Sequence, residues 1–122
     1  MKKVLIVDDE PHLRLLYETE LRRAGFETMS AANAEQGIEY VDAMRPDLVV
    51  LDIRMPGMDG VEALQRILDR DNTIPVVLNT AYSSYRENFM TWAADAYVTK
   101  SSDVTELVQT VKGLLQQEAV RQ

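Results

Sequence analysis

The chain predicts a five-stranded parallel α/β sheet of order 2-1-3-4-5, doubly wound with five helices. Two observations lead there. Short apolar runs alternate with longer segments of helical periodicity five times over, a pattern that favours a parallel sheet covered by helices on both faces. Acidic residues follow the first and third runs: Asp8 and Asp9 after Val4-Leu5-Ile6-Val7, and Asp52 after Leu48-Val49-Val50-Leu51. Open α/β sheets place ligands beyond the carboxyl ends of their strands, where strand order reverses, and the 2-1-3-4-5 order makes strands one and three neighbours at that point.

Each element has its own local reason. Val4 to Val7 forms the first strand. Pro11 suits a first helical position, Leu13, Leu16, Tyr17, Leu21 and Ala24 recur at helical spacing, and Gly25 supplies a left-handed stop, so the first helix runs from about Pro11 to Ala24. Phe26 to Ala31 reads as a weaker edge strand. Asn33 with Gln36 makes a capping box for a second helix that ends before Pro46 and carries Ile38, Val41 and Met44 inward. Asp47 to Leu51 is the third strand, and Met55-Pro56-Gly57 turns the chain after it. Asp59 with Glu62 caps a third helix through Leu64, Ile67 and Leu68. Pro75 to Leu78 is strand four, Ser84 with Glu87 caps a shorter fourth helix toward Trp92, and Ala96 to Thr99 is strand five. Asp103 with Glu106 caps the last helix, which lines Val104, Leu107, Val108, Val111, Leu114 and Leu115 along one side. Residues 1–122 form one domain, and about 117–122 read as a polar tail that frays or starts a linker.

Composition narrows the function classes. A chain of 122 residues is about one ordinary domain, able to bury a core without disulfides. Thirteen Lys and Arg against 20 Asp and Glu leave a formal charge of −7, which argues against direct grip on a nucleic-acid backbone. There is no cysteine, so disulfides and thiolate zinc sites are excluded, and a reducing cytoplasm is the expected compartment. The run behind Met1-Lys2-Lys3 is too short, and too soon interrupted by aspartates, for a signal peptide or membrane span.

With strands one and three adjacent, Asp8, Asp9 and Asp52 share one crevice, joined by Thr80 past strand four and Lys100 past strand five. Crowded carboxylates are most simply explained by a hard cation, and magnesium accepts a few oxygen ligands while keeping several waters. Asp9 and Asp52 are the best direct ligands, with Asp8 acting through water. A carboxylate can also be the nucleophile in phosphoryl transfer if cations and donors meet the charge on the moving group. Asp52 is then the acceptor, Lys100 a fixed charge and Thr80 a hydroxyl donor. His12, the sole histidine, reads as a solvated position on the first helix.

The chain resembles the receiver domains of bacterial two-component response regulators over essentially its whole length. The residues concerned are Val7-Asp8-Asp9-Glu10, the block from Leu51 to Gly60 around Asp52, Thr80-Ala81, and Tyr97-Val98-Thr99-Lys100. The resemblance implies a flavodoxin-like receiver fold, and a sensor histidine kinase or phosphotransfer protein that donates a phosphoryl group to Asp52. It implies magnesium, or manganese in its place, held by Asp8, Asp9, Asp52 and the backbone carbonyl of Arg54. It further implies that Thr80 and Tyr97 form a switch that alters the face built by the fourth helix, fifth strand and fifth helix. That face would meet an effector, an output domain or a second copy in a phosphorylation-dependent homodimer. Such a receiver is a kinase substrate that assists its own phosphorylation and dephosphorylation more than it is an enzyme.

Arg54 and Tyr82 stand at positions where relatives carry variable residues that tune phosphoryl lifetime, and their bulk predicts a persistent phosphorylated state. Tyr85, Phe89, Met90 and Trp92 cluster on the fourth helix, and part of that cluster is a candidate partner surface. Lys100 is followed by Ser101-Ser102 where the family usually has proline; a non-proline cis peptide costs about 3 kcal/mol, which weakens the case for the cis bond seen in relatives. Ala93 replaces a common glycine after the fourth helix, and Asn79 replaces an aliphatic residue before Thr80. Two rivals remain. An aspartyl phosphatase of the haloacid dehalogenase type needs a second aspartate two positions past the nucleophile, where this chain has Arg54. A non-phosphorylated pseudo-receiver is at odds with the intact acidic set.

Overall fold

In the computed structural model, residues 1–52, 60–80, 94–100 and 103–120 are described. Five strands, β1 (Lys3–Val7), β2 (Glu27–Ala31), β3 (Leu48–Leu51), β4 (Val76–Thr80) and β5 (Ala96–Thr99), form one parallel sheet of order β2-β1-β3-β4-β5. Around it lie α1 (Pro11–Arg23), α2 (Ala34–Met44), α3 (Gly60–Arg70) and α4 (Thr105–Val120). The last is the fifth helix expected from the sequence, because the expected fourth, about 84–92, falls outside the described residues.

Strand alternation sorts the core into two layers. Leu5, Val7, Val49, Leu51, Val76, Leu78 and Tyr97 pack with Ile38 and Val41 of α2 and Leu64 and Ile67 of α3. Val4, Ile6, Leu48, Val50, Val77 and Val98 pack on the opposite face with Tyr17 and Leu21 of α1 and Leu107, Val111 and Leu115 of α4. Each fully buried aliphatic side chain contributes roughly 1.5–3 kcal/mol before entropy is counted. α2 packs tightly on the sheet at Gly37, where a Cβ would stand 2.8 Å from Val7 Cγ2.

Helix ends largely follow the local chemistry. Gly25 takes φ +101° after α1, and Asn33 accepts a hydrogen bond from the Gln36 N–H at the start of α2. The return bond of that box lands one residue early: Gln36 Oε1 accepts from the Ala32 N–H. α2 ends at Arg45 in the left-handed region, φ 48°, since the following Pro46 disfavours continued helix there. Met44, expected inward, is 45% exposed; it is the last residue of α2, one turn past the buried Val41. Asp103 accepts from the Thr105 N–H, and α4 continues through Val120 into what the sequence reads as a tail. β4 runs two residues past its expected end, so Asn79 and Thr80 are ladder residues; Lys100 donates its backbone N–H to the Thr80 carbonyl.

At the amino edge of the sheet, two aspartates act as clamps. Asp47 accepts from the Lys3 N–H at 2.7 Å and returns its own N–H to the Lys3 carbonyl at 2.8 Å. Asp95 does the same with Val76, at 2.9 Å in both directions. Each pair fixes where a neighbouring strand begins, and so the level at which its other end emerges. Among the described residues no helix is long and apolar enough to cross a membrane.

Candidate functional site

Backbone ladders carry the acidic residues to the carboxyl edge. The Asp8 N–H extends the β1–β2 pairing to the Ala31 carbonyl at 3.1 Å, and the Asp52 N–H extends β3–β1 to the Val7 carbonyl at 3.0 Å. One step past their strands, both carboxylates continue the side of the sheet occupied by Ile6 and Val50. Both are buried, Asp8 to 2% exposure and Asp52 to 4%.

Lys100 neutralises part of that charge. Its ammonium lies 2.8 Å from Asp8 Oδ2 and 2.9 Å from Asp52 Oδ2. Burial alone would lower the lysine pKa, but the bonds to Asp8 and Asp52 outweigh it and hold the group above the usual lysine range. The ammonium is therefore charged at any physiological pH. Asp8 Oδ1 accepts from the Glu10 N–H at 3.0 Å, and Arg14 of α1 donates to the Asp8 carbonyl at 2.7 Å. Both Asp8 oxygens thus already have protein donors, which suits its expected water-mediated role toward a cation.

Carboxylate oxygens of Asp8, Asp9 and Glu10 all lie within 4.8 Å of one another, a donor set of the kind a hard cation takes. Asp9 is half-buried and Glu10 exposed. Glu10 did not stand out in the sequence, although its place directly after the aspartate pair is the signal. Thr80 is fully buried and Tyr97 5% exposed. Tyr97 packs in the layer with α2 and α3, and alternation puts Thr80 on that same side, opposite to Asn79. His12 is 78% exposed by side chain and 3.4 Å from Glu10. Arg54, Tyr82, Asp59, Ser101 and the aromatic cluster of the expected fourth helix lie outside the described residues.

Sequence reasoning left Asn79 without a contact. It is 3% exposed, as is Tyr17, and the two side chains are neighbours on the α1 side of the sheet, lining one small cavity with Thr99 and Asp103. Burial raises the Tyr17 pKa; Asn79 and the nearby Lys100 charge pull it down, while Asp8 and Asp52 push it up. Tyr17 lies within electrostatic reach of Lys100, Asp8 and Asp52.

The model of the response regulator receiver domain family matches residues 4–112, and the chain belongs to that family. It is 37% identical over 116 residues to sporulation initiation phosphotransferase F of Bacillus subtilis, covering 93% of this chain and 94% of that protein. It is 35% identical to the regulatory protein AtoC of Escherichia coli over 99% of this chain, but it spans only 27% of AtoC. Among solved structures it superposes on the response regulator TrrA of Thermotoga maritima in complex with Mg2+ and BeF, with a TM-score of 0.88 and 43% identity over 93% of this chain and 99% of that one. A second structure holds TrrA in complex with the histidine kinase ThkA, TM-score 0.86, covering 94% of this chain and 99% of that one. The fold, its strand order and the two-component receiver function expected from the residues stand, and the haloacid dehalogenase alternative falls away.

Proposed function

We propose that Asp52 accepts a phosphoryl group from the phosphohistidine of a sensor histidine kinase or phosphotransfer protein. The observation that carries this is the Lys100 ammonium seated between Asp8 and Asp52, beside the Asp8-Asp9-Glu10 oxygens. In the transfer the P–N bond breaks, a bond forms between phosphorus and an Asp52 oxygen, and the departing imidazole takes a proton. Lys100 is already charged and placed to meet the negative charge on the moving group, so little reorganisation is needed at the moment of reaction. Asp9, Asp52 and the Arg54 carbonyl would hold magnesium directly and Asp8 through water, with Glu10 at its margin; the ion supplies charge neutralisation at the phosphoryl oxygens. Manganese satisfies the same oxygen set.

Thr80 and Tyr97 then act as the switch, moving the face of the expected fourth helix, β5 and α4. That face meets an effector, an output domain or a second copy of the chain, and the acidic surface leaves nucleic acid to such partners. Arg54 and Tyr82 shield the acyl phosphate, and the domain assists its own dephosphorylation. The cytoplasm, where such kinases present their phosphohistidine, is its compartment. Incubation with magnesium and a small acyl phosphate should add one phosphoryl group by mass to the wild type and none to Asp52→Asn. No addition to the wild type would overturn the reading.

A further inference from the structure

We infer that Tyr17 and Asn79 are positioning residues that set where the Lys100 ammonium sits between Asp8 and Asp52. The inference rests on the phosphoacceptor reading above and adds two residues to it.

The strand order makes the argument. Lys100 begins at the end of β5, yet its ammonium reaches Asp52 beyond β3 and Asp8 beyond β1. Adjacent strands are about 4.8 Å apart, so the side chain must cross the end of β4 to get there. The last β4 residue facing the same side of the sheet is Asn79, directly opposite Val98 in the β4–β5 register. α1 covers that point with Tyr17, one turn after Arg14, which holds the Asp8 carbonyl. A single face of α1 therefore fixes the backbone of one carboxylate and brings the Tyr17 side chain beside Asn79, at the strand end that the lysine crosses.

The core layer below this pair is aliphatic, with Val4, Ile6, Leu21, Leu48, Val50, Val77 and Val98, while polar Thr99 and Asp103 stand beside the pair at the carboxyl edge. A leucine at either position would fill such a layer without the cost of burying polar groups. Two polar side chains stand together there, and packing alone does not explain why both are present. Their place under the crossing lysine does. Oriented oxygen dipoles at a buried site favour an ammonium above them and restrict its lateral drift. This matters more because Ser101, rather than a stiff proline, follows Lys100.

The test compares wild type, Tyr17→Phe, Asn79→Leu and the double variant. Each single change leaves one buried polar group beside an apolar neighbour and should lower stability; the double change removes both and should restore it. If the pair positions Lys100, the double variant recovers its unfolding midpoint but phosphorylates at a saturating rate about tenfold below wild type, with half-saturating acyl phosphate changed less than about twofold. The 13Cε signal of Lys100 should also move in Tyr17→Phe. A double variant at wild-type rate, with the Lys100 signal unmoved, would overturn the inference while leaving the acceptor role intact. If the wild type itself takes up no phosphoryl group, the acceptor reading fails, and the Lys100 signal alone then decides: movement supports positioning and its absence refutes it.

Discussion

Replacing Lys100 by methionine removes the one ammonium that bridges Asp8 and Asp52 while keeping most of the side chain's volume. At separations of 2.8 and 2.9 Å, each contact is worth roughly 6 kcal/mol of direct attraction at an effective dielectric of about 20. Desolvation of three buried charges offsets much of that sum, and removal of one partner from a buried pair typically costs about 3–5 kcal/mol. We expect the metal-free Lys100→Met protein to lose about 3 kcal/mol, measured by urea unfolding followed by circular dichroism. The two carboxylates left facing each other should bind magnesium more tightly, by about tenfold for each 1.4 kcal/mol recovered. Saturating magnesium should accordingly narrow the stability gap between variant and wild type. The pH dependence has a definite sign. The folded-state lysine pKa lies above the unfolded value near 10.4, so its contribution is complete below about pH 10 and declines as pH rises through the folded value. The gap should be flat below pH 10 and shrink above it. A variant within about 0.5 kcal/mol of wild type without metal, with unchanged magnesium affinity, would refute the bridging argument.

Two further expectations concern the scaffold. Asp47→Ala removes the carboxylate that accepts from the Lys3 N–H and should cost about 1.5–3 kcal/mol by urea unfolding, with slowed amide exchange lost first at the start of β1; a change below about 0.5 kcal/mol would mean the clamp is idle. Gly37→Ala should destabilise by about 1–3 kcal/mol despite alanine's better helix propensity, because the new methyl group meets the Val7 side chain, and a stabilised variant would show that α2 can lift off β1 freely.

The fold was legible because several signals agreed. The apolar runs, Gly25, the Asn33 cap and the position of Pro46 all point to the elements observed, and strand alternation sorts the core correctly. Asp8, Asp52 and Lys100 were legible for the same reason, since each directly follows its strand. What sequence could not supply was relations across the sheet. Asp47 was assigned to a strand, yet it works as a clamp on Lys3, because its partner lies in a different strand with no sequence mark. β4 was expected to stop at Leu78, as polar Asn79 and Thr80 resemble a strand's end; pairing with Val98 and Thr99 keeps them in the ladder. Asn79 had no visible partner because Tyr17, spaced among the apolar positions of α1, read as core. Gln36 was placed correctly but bonds to Ala32, a choice decided by one torsion angle.

Asn79 and Thr80 are consecutive residues whose side chains leave β4 in opposite directions. On the roles proposed above, group transfer and the relay to partners would fall on different sides of one strand end. On that reading, change at α1 and Asn79 would alter how fast the group is gained or lost without altering the side of the strand that Thr80 faces. A domain with those roles would have its timing and its audience set independently, one residue apart.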